Sequence, residues 1–326
     1  MPGEDVGEAL RIVLGELPDL PYLPYLPELP ARGPGADMVG RTAAALVDLH
    51  VDLQPSGWRL VDRPGRDVRR ARDLAERDLD TLQELAGDHV GPLKVQLAGP
   101  WTLAASVELP RGGRALSDPG ACRDLTDSLA EGVRLLLADL GRRVPGARPV
   151  LQVDEPSLPA VLARRIPTAS GYGTLPAVDE PVAQTALARV LSAAGSVPGV
   201  LHCCAPQVPV GLAYRAGARA VSLDLGALDP RMDDELGAAV EAGLVLFAGL
   251  VPAVDPPAGA PRPDPGRLAG PARRLWHRLG FAPELLPERV VVTPTCGQAG
   301  ASPGYARDAL RLARQTAQAL AESPEG

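Results

Sequence analysis

The sequence predicts an α/β protein organised around a parallel sheet, either closed into a barrel or open and doubly wound. Three observations carry this. From residue 90 onward, short β-rich runs alternate with longer stretches rich in Ala, Leu and Arg. In the longer stretches apolar residues recur near helical spacing, so each can lay one face on a sheet. Hydrophobic residues make up 45% of 326, enough to bury a sizeable core. Repeated βα units require parallel strands joined by right-handed crossovers.

In chain order the first element is a helix, because MPGEDVGEALR reaches helical spacing almost at once. Leu17–Pro30 (LPDLPYLPYLPELP) places a proline about every three residues, which favours an extended, polyproline-like path on the rim of the molecule. The strand candidates are then Leu93–Ala98, Val150–Asp154, Gly199–Cys204, Ala220–Leu225, Leu244–Gly249 and Arg289–Pro294. Amphipathic segments at 121–143, 179–195, 206–217, 230–242 and 303–321 lie between and after them. Pro252–Pro271, dense in proline and glycine, reads as a long loop of the kind that helps cover a site. An eight-stranded barrel needs two more strands. One is expected near 20–55, and the first is expected to be truncated or missing.

Composition excludes several classes of function. The 35 glycines and 36 prolines, about 22% of the chain, fall short of the roughly 25–30% that marks low-complexity chains. The net charge is −7 with no isolated basic cluster, so nucleic acid is not an expected partner. No apolar run approaches the roughly 20 residues that span a bilayer. The first twenty residues hold five acids and no signal-peptide core, and a cytoplasmic protein is expected. Four cysteines, two of them adjacent, read as reduced thiols.

Chemistry concentrates at strand ends. Side chains alternate across a sheet, so in Gly199–Cys204 His202 and Cys204 share one face and Cys203 takes the other. Such a pair can chelate one ion. Zinc favours imidazole and thiolate, and a catalytic zinc takes about three protein ligands and keeps one position open. Cys296 ends another strand candidate in TPTCG, and parallel strands deliver their groups to one face. Asp224 ends the strand candidate Ala220–Leu225 with its carboxylate. A single buried cysteine is usually a small hydrophobe and a single histidine a satisfied polar group. Metal binding is expected because three of the four cysteines and one of the four histidines coincide at strand ends. Asp154 and Glu155, in QVDEP, are suited to bind an ammonium group or to act as acid and base; the alternative is a helix N-terminus or a loop salt bridge. His50, His89 and His277 have no such company and read as surface or core residues.

Gly99-Pro100-Trp101-Thr102-Leu103, Gln152-Val153-Asp154-Glu155-Pro156, His202-x-Cys204, the Ala220–Asp224 strand and Pro294-x-Cys296-Gly297 together resemble the catalytic domain of cobalamin-independent methionine synthase. The resemblance covers about residues 90–300, with 1–89 as an N-terminal part of the same single domain. It implies a (β/α)8 barrel whose first strand is absent or reduced to Met1-Pro2-Gly3, and a zinc-dependent methyltransferase forming methionine from homocysteine. His202, Cys204 and Cys296 are the implied zinc ligands, with Asp224 where the family has a glutamate. Asp154, Glu28 and Ser222 are the implied substrate contacts. The implied methyl donor is a methylfolate or a methyl-corrinoid protein. Ser106 stands where the family stacks a tryptophan on the pterin, Ala160 where it has a folate-binding glutamate, and Gly249–Pro256 has no counterpart of its catalytic histidine.

Three other readings fit parts of the pattern. A decarboxylase of the uroporphyrinogen type shares the G-P-W-T-L segment but leaves the His and Cys arrangement without a role. A degenerate barrel that keeps zinc without catalysis remains an alternative. A Schiff-base aldolase fails on position, because the only lysine, Lys94, opens a strand.

Overall fold

The computed structural model describes residues 1–18 and 21–325. Eight strands are formed. β1 (His50–Gln54) and β2 (Gly57–Val61) make an antiparallel hairpin of their own. The other six, β3 (Gly91–Ala98), β4 (Ala147–Asp154), β5 (Gly199–His202), β6 (Ala220–Asp224), β7 (Val245–Val251) and β8 (Val290–Pro294), form one parallel sheet in sequential order. Sequential order means that each crossover returns beside its own strand, the arrangement of a barrel wall rather than of a doubly wound sheet.

The helices are α1 (Val6–Glu16), α2 (Met38–Ala45), α3 (Arg66–Ala86), α4 (Pro100–Ser106), α5 (Pro119–Arg143), α6 (Leu158–Leu162), α7 (Glu180–Ser192), α8 (Val210–Arg215), α9 (Asp233–Glu241), α10 (Pro265–Leu279), α11 (Leu286–Arg289) and α12 (Pro303–Glu322). No helix among the described residues is long and apolar enough to cross a membrane.

The sheet curls. In a flat sheet β5 and β8, with β6 and β7 between them, would lie about 14 Å apart at the usual strand spacing. Yet Cys204 and Cys296, each two residues past the end of its strand, bring their sulfurs to 3.3 Å. Alternation then gives the sheet two unlike faces. Leu93, Leu151, Leu201 and Val221 point outward and are fully buried against the helices. The inward-facing side chains are apolar at one end, where Val200, Ala220 and Phe247 cluster, and polar at the carboxyl end, where Asp154, His202 and Ser222 align in register.

Three expectations change. Part of Leu17–Pro30 is not rim but sheet edge: Pro24 O accepts from Lys94 N and Leu26 N donates to Lys94 O, both at 2.9 Å, in a parallel bridge centred on Tyr25. Proline every three residues is out of step with a strand's two-residue period, so the pairing stops after a few residues. Pro252–Pro271 is loop only to Asp264, whose side chain accepts from Arg267 N and starts α10. Pro265 occupies the first helical position, where no N–H is needed, and Pro271 inside the helix forfeits one hydrogen bond without ending it. A full eight-stranded barrel is not formed among the described residues, because no strand lies between Tyr25 and β8. Instead Met1 packs with Leu29 and Val251, and its amino group donates to Glu28 O at 2.8 Å.

The outer ring is more complete than the sheet. Apolar side chains of α1 pack with α12 on one side, through Ala9, Val13, Ala309 and Leu310, and with α3 on the other, through Leu10, Leu79 and Leu82.

Candidate active site

β5 ends at His202, and the chain runs on through Cys203 and Cys204. Alternation persists past the strand: Cys203 is wholly buried in the main core, while Cys204 turns to the inner face. Cys296 reaches it from beyond β8. Gly249 permits the approach, since a Cβ there would lie 2.8 Å from Thr295 Cα and Leu223 O.

His202, Cys204 and Cys296 each offer a ligand atom, and these atoms lie within 4.8 Å of one another. Tetrahedral zinc with Zn–S bonds near 2.3 Å separates two sulfurs by about 3.8 Å, so the 3.3 Å between Cys204 and Cys296 needs only a small opening. One imidazole and two sulfurs are a donor set that suits zinc, and the residues present fit that ion. His202 Nδ1 is 2.9 Å from Ser222 Oγ, which orients the ring and leaves Nε2 for the cysteine side.

The charges of the three are coupled. Hydrogen bonds from Cys204 and then from His202 hold the Cys296 thiol down to about 4. The same bond to Cys296, followed by burial, pushes Cys204 up. Burial lowers the His202 imidazole, but its hydrogen bond to Cys296 and the charge of Asp154 outweigh that and raise it. One of the two sulfurs is therefore a ready thiolate.

Asp224 is not brought into this group. It ends β6, but its Oδ1 accepts from Gly226 N at 2.9 Å, starting the turn that follows the strand. Asp154 lies beside His202 in register, buried, with Oδ1 accepting from Gln152 Nε2 at 2.7 Å. Burial raises its carboxyl, while His202 and Lys94 act against that.

Glu155 does something different. It is fully buried, and its two oxygens accept from Trp101 N at 2.9 Å, Thr102 N at 2.8 Å and Thr102 Oγ1 at 2.7 Å. Those amides belong to the first turn of α4, so the carboxylate completes a helix N-terminus from a neighbouring strand. The helix alternative weighed for the Asp154 and Glu155 pair applies to Glu155 alone. Burial pushes it up to about 7 against these three donors. A Cβ on Gly99 would overlap the Glu155 carboxylate, so the G-P-W-T and D-E-P motifs are two halves of one joint.

Glu28 follows the edge segment. Its Oε1 is buried without a hydrogen-bond partner, 3.6 Å from Arg41 Nε, and Arg41 together with Arg32 is paired to the buried Asp78. Burial pushes the Glu28 carboxyl up to about 7, Arg41 pulling the other way and Asp154 adding to the rise. Lys94 does not open its strand: β3 begins at Gly91, so Lys94 is its fourth residue and projects into the curl with Gln96. The signal was present, since Leu93, Val95 and Leu97 alternate with Lys94 and Gln96.

No protein-family model and no curated protein matches the sequence. Among solved structures, the chain is similar to a B12-independent methionine synthase from Shewanella sp. W3-18-1, determined in complex with selenomethionine, with a TM-score of 0.51 and 14% identity over 76% of this chain and 66% of that one. At that identity the likeness is one of fold, an α/β architecture with a curled parallel sheet, and this chain spans just under two thirds of that protein's length.

Proposed function

We propose that the protein is a zinc-dependent S-methyltransferase acting on the thiol of homocysteine, with a methylfolate or a methyl-corrinoid as donor. One observation carries the reading: among the described residues three metal-ligand atoms, and not four, converge at the carboxyl mouth of the curled sheet. A structural zinc is closed by four protein ligands, whereas three leave a position for a substrate sulfur. The fold neighbour, a methionine synthase in complex with selenomethionine, supports the same class of chemistry.

In this reading His202, Cys204 and Cys296 hold the ion. Zinc bound there lowers the pKa of a thiol, ordinarily about 8.5, so that the substrate sulfur is a thiolate at neutral pH. The substrate sulfur forms a bond to the methyl carbon as the bond from methyl to its carrier breaks, and the carrier keeps that electron pair. Ser222 fixes the His202 ring. Asp154 and Glu28 hold the substrate ammonium. Asp224 stands at the rim of the site, outside the ligand set.

The test is direct. The purified full chain should carry about one zinc, as a three-ligand site allows, and lose it in Cys204→Ser and Cys296→Ser. Zinc-loaded protein should form methionine from homocysteine with one of two donors offered separately, methyltetrahydrofolate or methylcobalamin. Folded wild type that binds no zinc, or zinc-loaded protein inactive with both donors, overturns the reading.

A further inference from the structure

The chain contains one lysine, and the fold spends it inside the curl. Lys94 Nζ has Gln96 Oε1 at 3.4 Å and the ring of Tyr25 at 5.1 Å. Among the described residues no carboxylate comes within 4.0 Å of it. An ammonium has three donors, so this one is underused. Glu28 Oε1 is likewise buried without a hydrogen bond, its one ion pair among the described residues being the 3.6 Å contact with Arg41 Nε. Groups of opposite charge thus line one interior with their hydrogen-bonding capacity unspent, which is costly unless something fills it.

The inner face is open in part. Lys94, Gln152 and His202 stay partly exposed there, while Gln96, Asp154 and Ser222 are buried and Val200, Ala220 and Phe247 pack together below them. The reachable space is therefore small and polar. It is also charge-matched to a zwitterion: Glu28 is offset by the Arg32, Asp78 and Arg41 network, and Asp154 and Lys94 feel each other's charge. Burial lowers the Lys94 ammonium, and Asp154 and Glu28 oppose that.

We infer that Lys94 binds the carboxylate of the thiol substrate, so that the site takes an α-amino acid whose sulfur lies at the metal ligands and whose carboxylate lies deeper in the curl. This rests on the thiol methyl-transfer reading and adds to it a group that selects the substrate. The distances suit it. Gln96 lies two residues below Ala98, which is level with Asp154 and His202, a depth of about 6–7 Å along the strand. Homocysteine spans about 5 Å from sulfur to carboxyl carbon at ordinary bond lengths. The ammonium then falls between the two ends, near Asp154 and Glu28.

The experiment uses the full chain loaded with cobalt(II), in which the two cysteine sulfurs already give a sulfur-to-metal absorption band and a third, substrate thiolate strengthens and shifts it. It is titrated with homocysteine and with homocysteamine, the same aminothiol lacking its carboxylate. Wild type should prefer homocysteine by on the order of tenfold to a hundredfold, the range for a charge-assisted hydrogen bond. Lys94→Met should bring the ratio close to one by weakening homocysteine alone. A preference that survives in Lys94→Met overturns the inference, as does wild type that binds both thiols equally; the second result holds even if the variant fails to fold. In both cases thiol binding at the metal still stands. If neither thiol changes the band of the wild type, the methyl-transfer reading falls and this inference with it.

Discussion

Glu28 carries a carboxyl that burial pushes up to about 7, with Arg41 only partly offsetting it. Its folded pKa lies above its unfolded value, so folding favours the neutral form. The contribution to stability is fully present below the unfolded value near 4.5 and is lost as pH rises through about 7. A shift of this size is worth at most about 3 kcal/mol. Glu28→Gln is neutral at every pH, so the loss of stability between pH 5 and 8 should be smaller in that variant than in metal-free wild type. Parallel stability curves, measured by urea unfolding across that range, would contradict the assignment. The residues of the site were unequally legible. His202, Cys204 and Cys296 could be read from strand alternation and strand ends alone. Glu28 was reachable only through a motif resemblance, because prolines break the period of its segment. Lys94 reads as the opening of a strand because the strand candidate starts at Leu93, whereas β3 starts two residues earlier, at Gly91.

The joint between β4 and α4 acts as an element rather than as two residues. Glu155→Ala would strand the amides of Trp101 and Thr102 and the Thr102 hydroxyl in a dry environment, at a cost of about 2–4 kcal/mol. Gly99→Ala would drive a methyl group into the Glu155 carboxylate and displace the same contacts. Both changes break one arrangement, so the double variant should be less destabilised than the sum, by at least about 1 kcal/mol. Denaturant unfolding of the four proteins in the cycle measures this, and strict additivity would rule the joint out. The six strands of the main sheet were legible because each is short, largely apolar and separated from the next by a helical stretch. The hairpin β1–β2 was not, although its pairing is local, from His50↔Val61 to Gln54↔Gly57: its turn residues, Pro55 and Ser56, are not the Asn-Gly or Asp-Gly pair that marks a two-residue hairpin. The start of α10 was obscured by prolines that a helix tolerates at its first turn.

At the scale of the whole molecule, stability and chemistry occupy different places. The main apolar core lies between the outer face of the sheet and the helices, and α1 joins α12 to α3 in a ring that does not depend on the mouth of the curl. The ligand set draws on only the ends of β5 and β8. A metal there ties two strand ends together without supplying the core, unlike a zinc finger, whose fold is its metal. Removing it should therefore weaken the fold by linkage and not abolish it. Free zinc at one hundred times its dissociation constant stabilises a native state by about 2.7 kcal/mol, which in a chain of this size moves Tm by several degrees. Chelated protein should keep its helical circular dichroism, melt a few degrees lower, and recover on adding zinc. Cys296→Ser should melt at the chelated temperature whether or not zinc is present. Collapse of the helical signal on chelation would mean that the ion holds the barrel wall together, and would shift the reading from an open catalytic centre to a structural one.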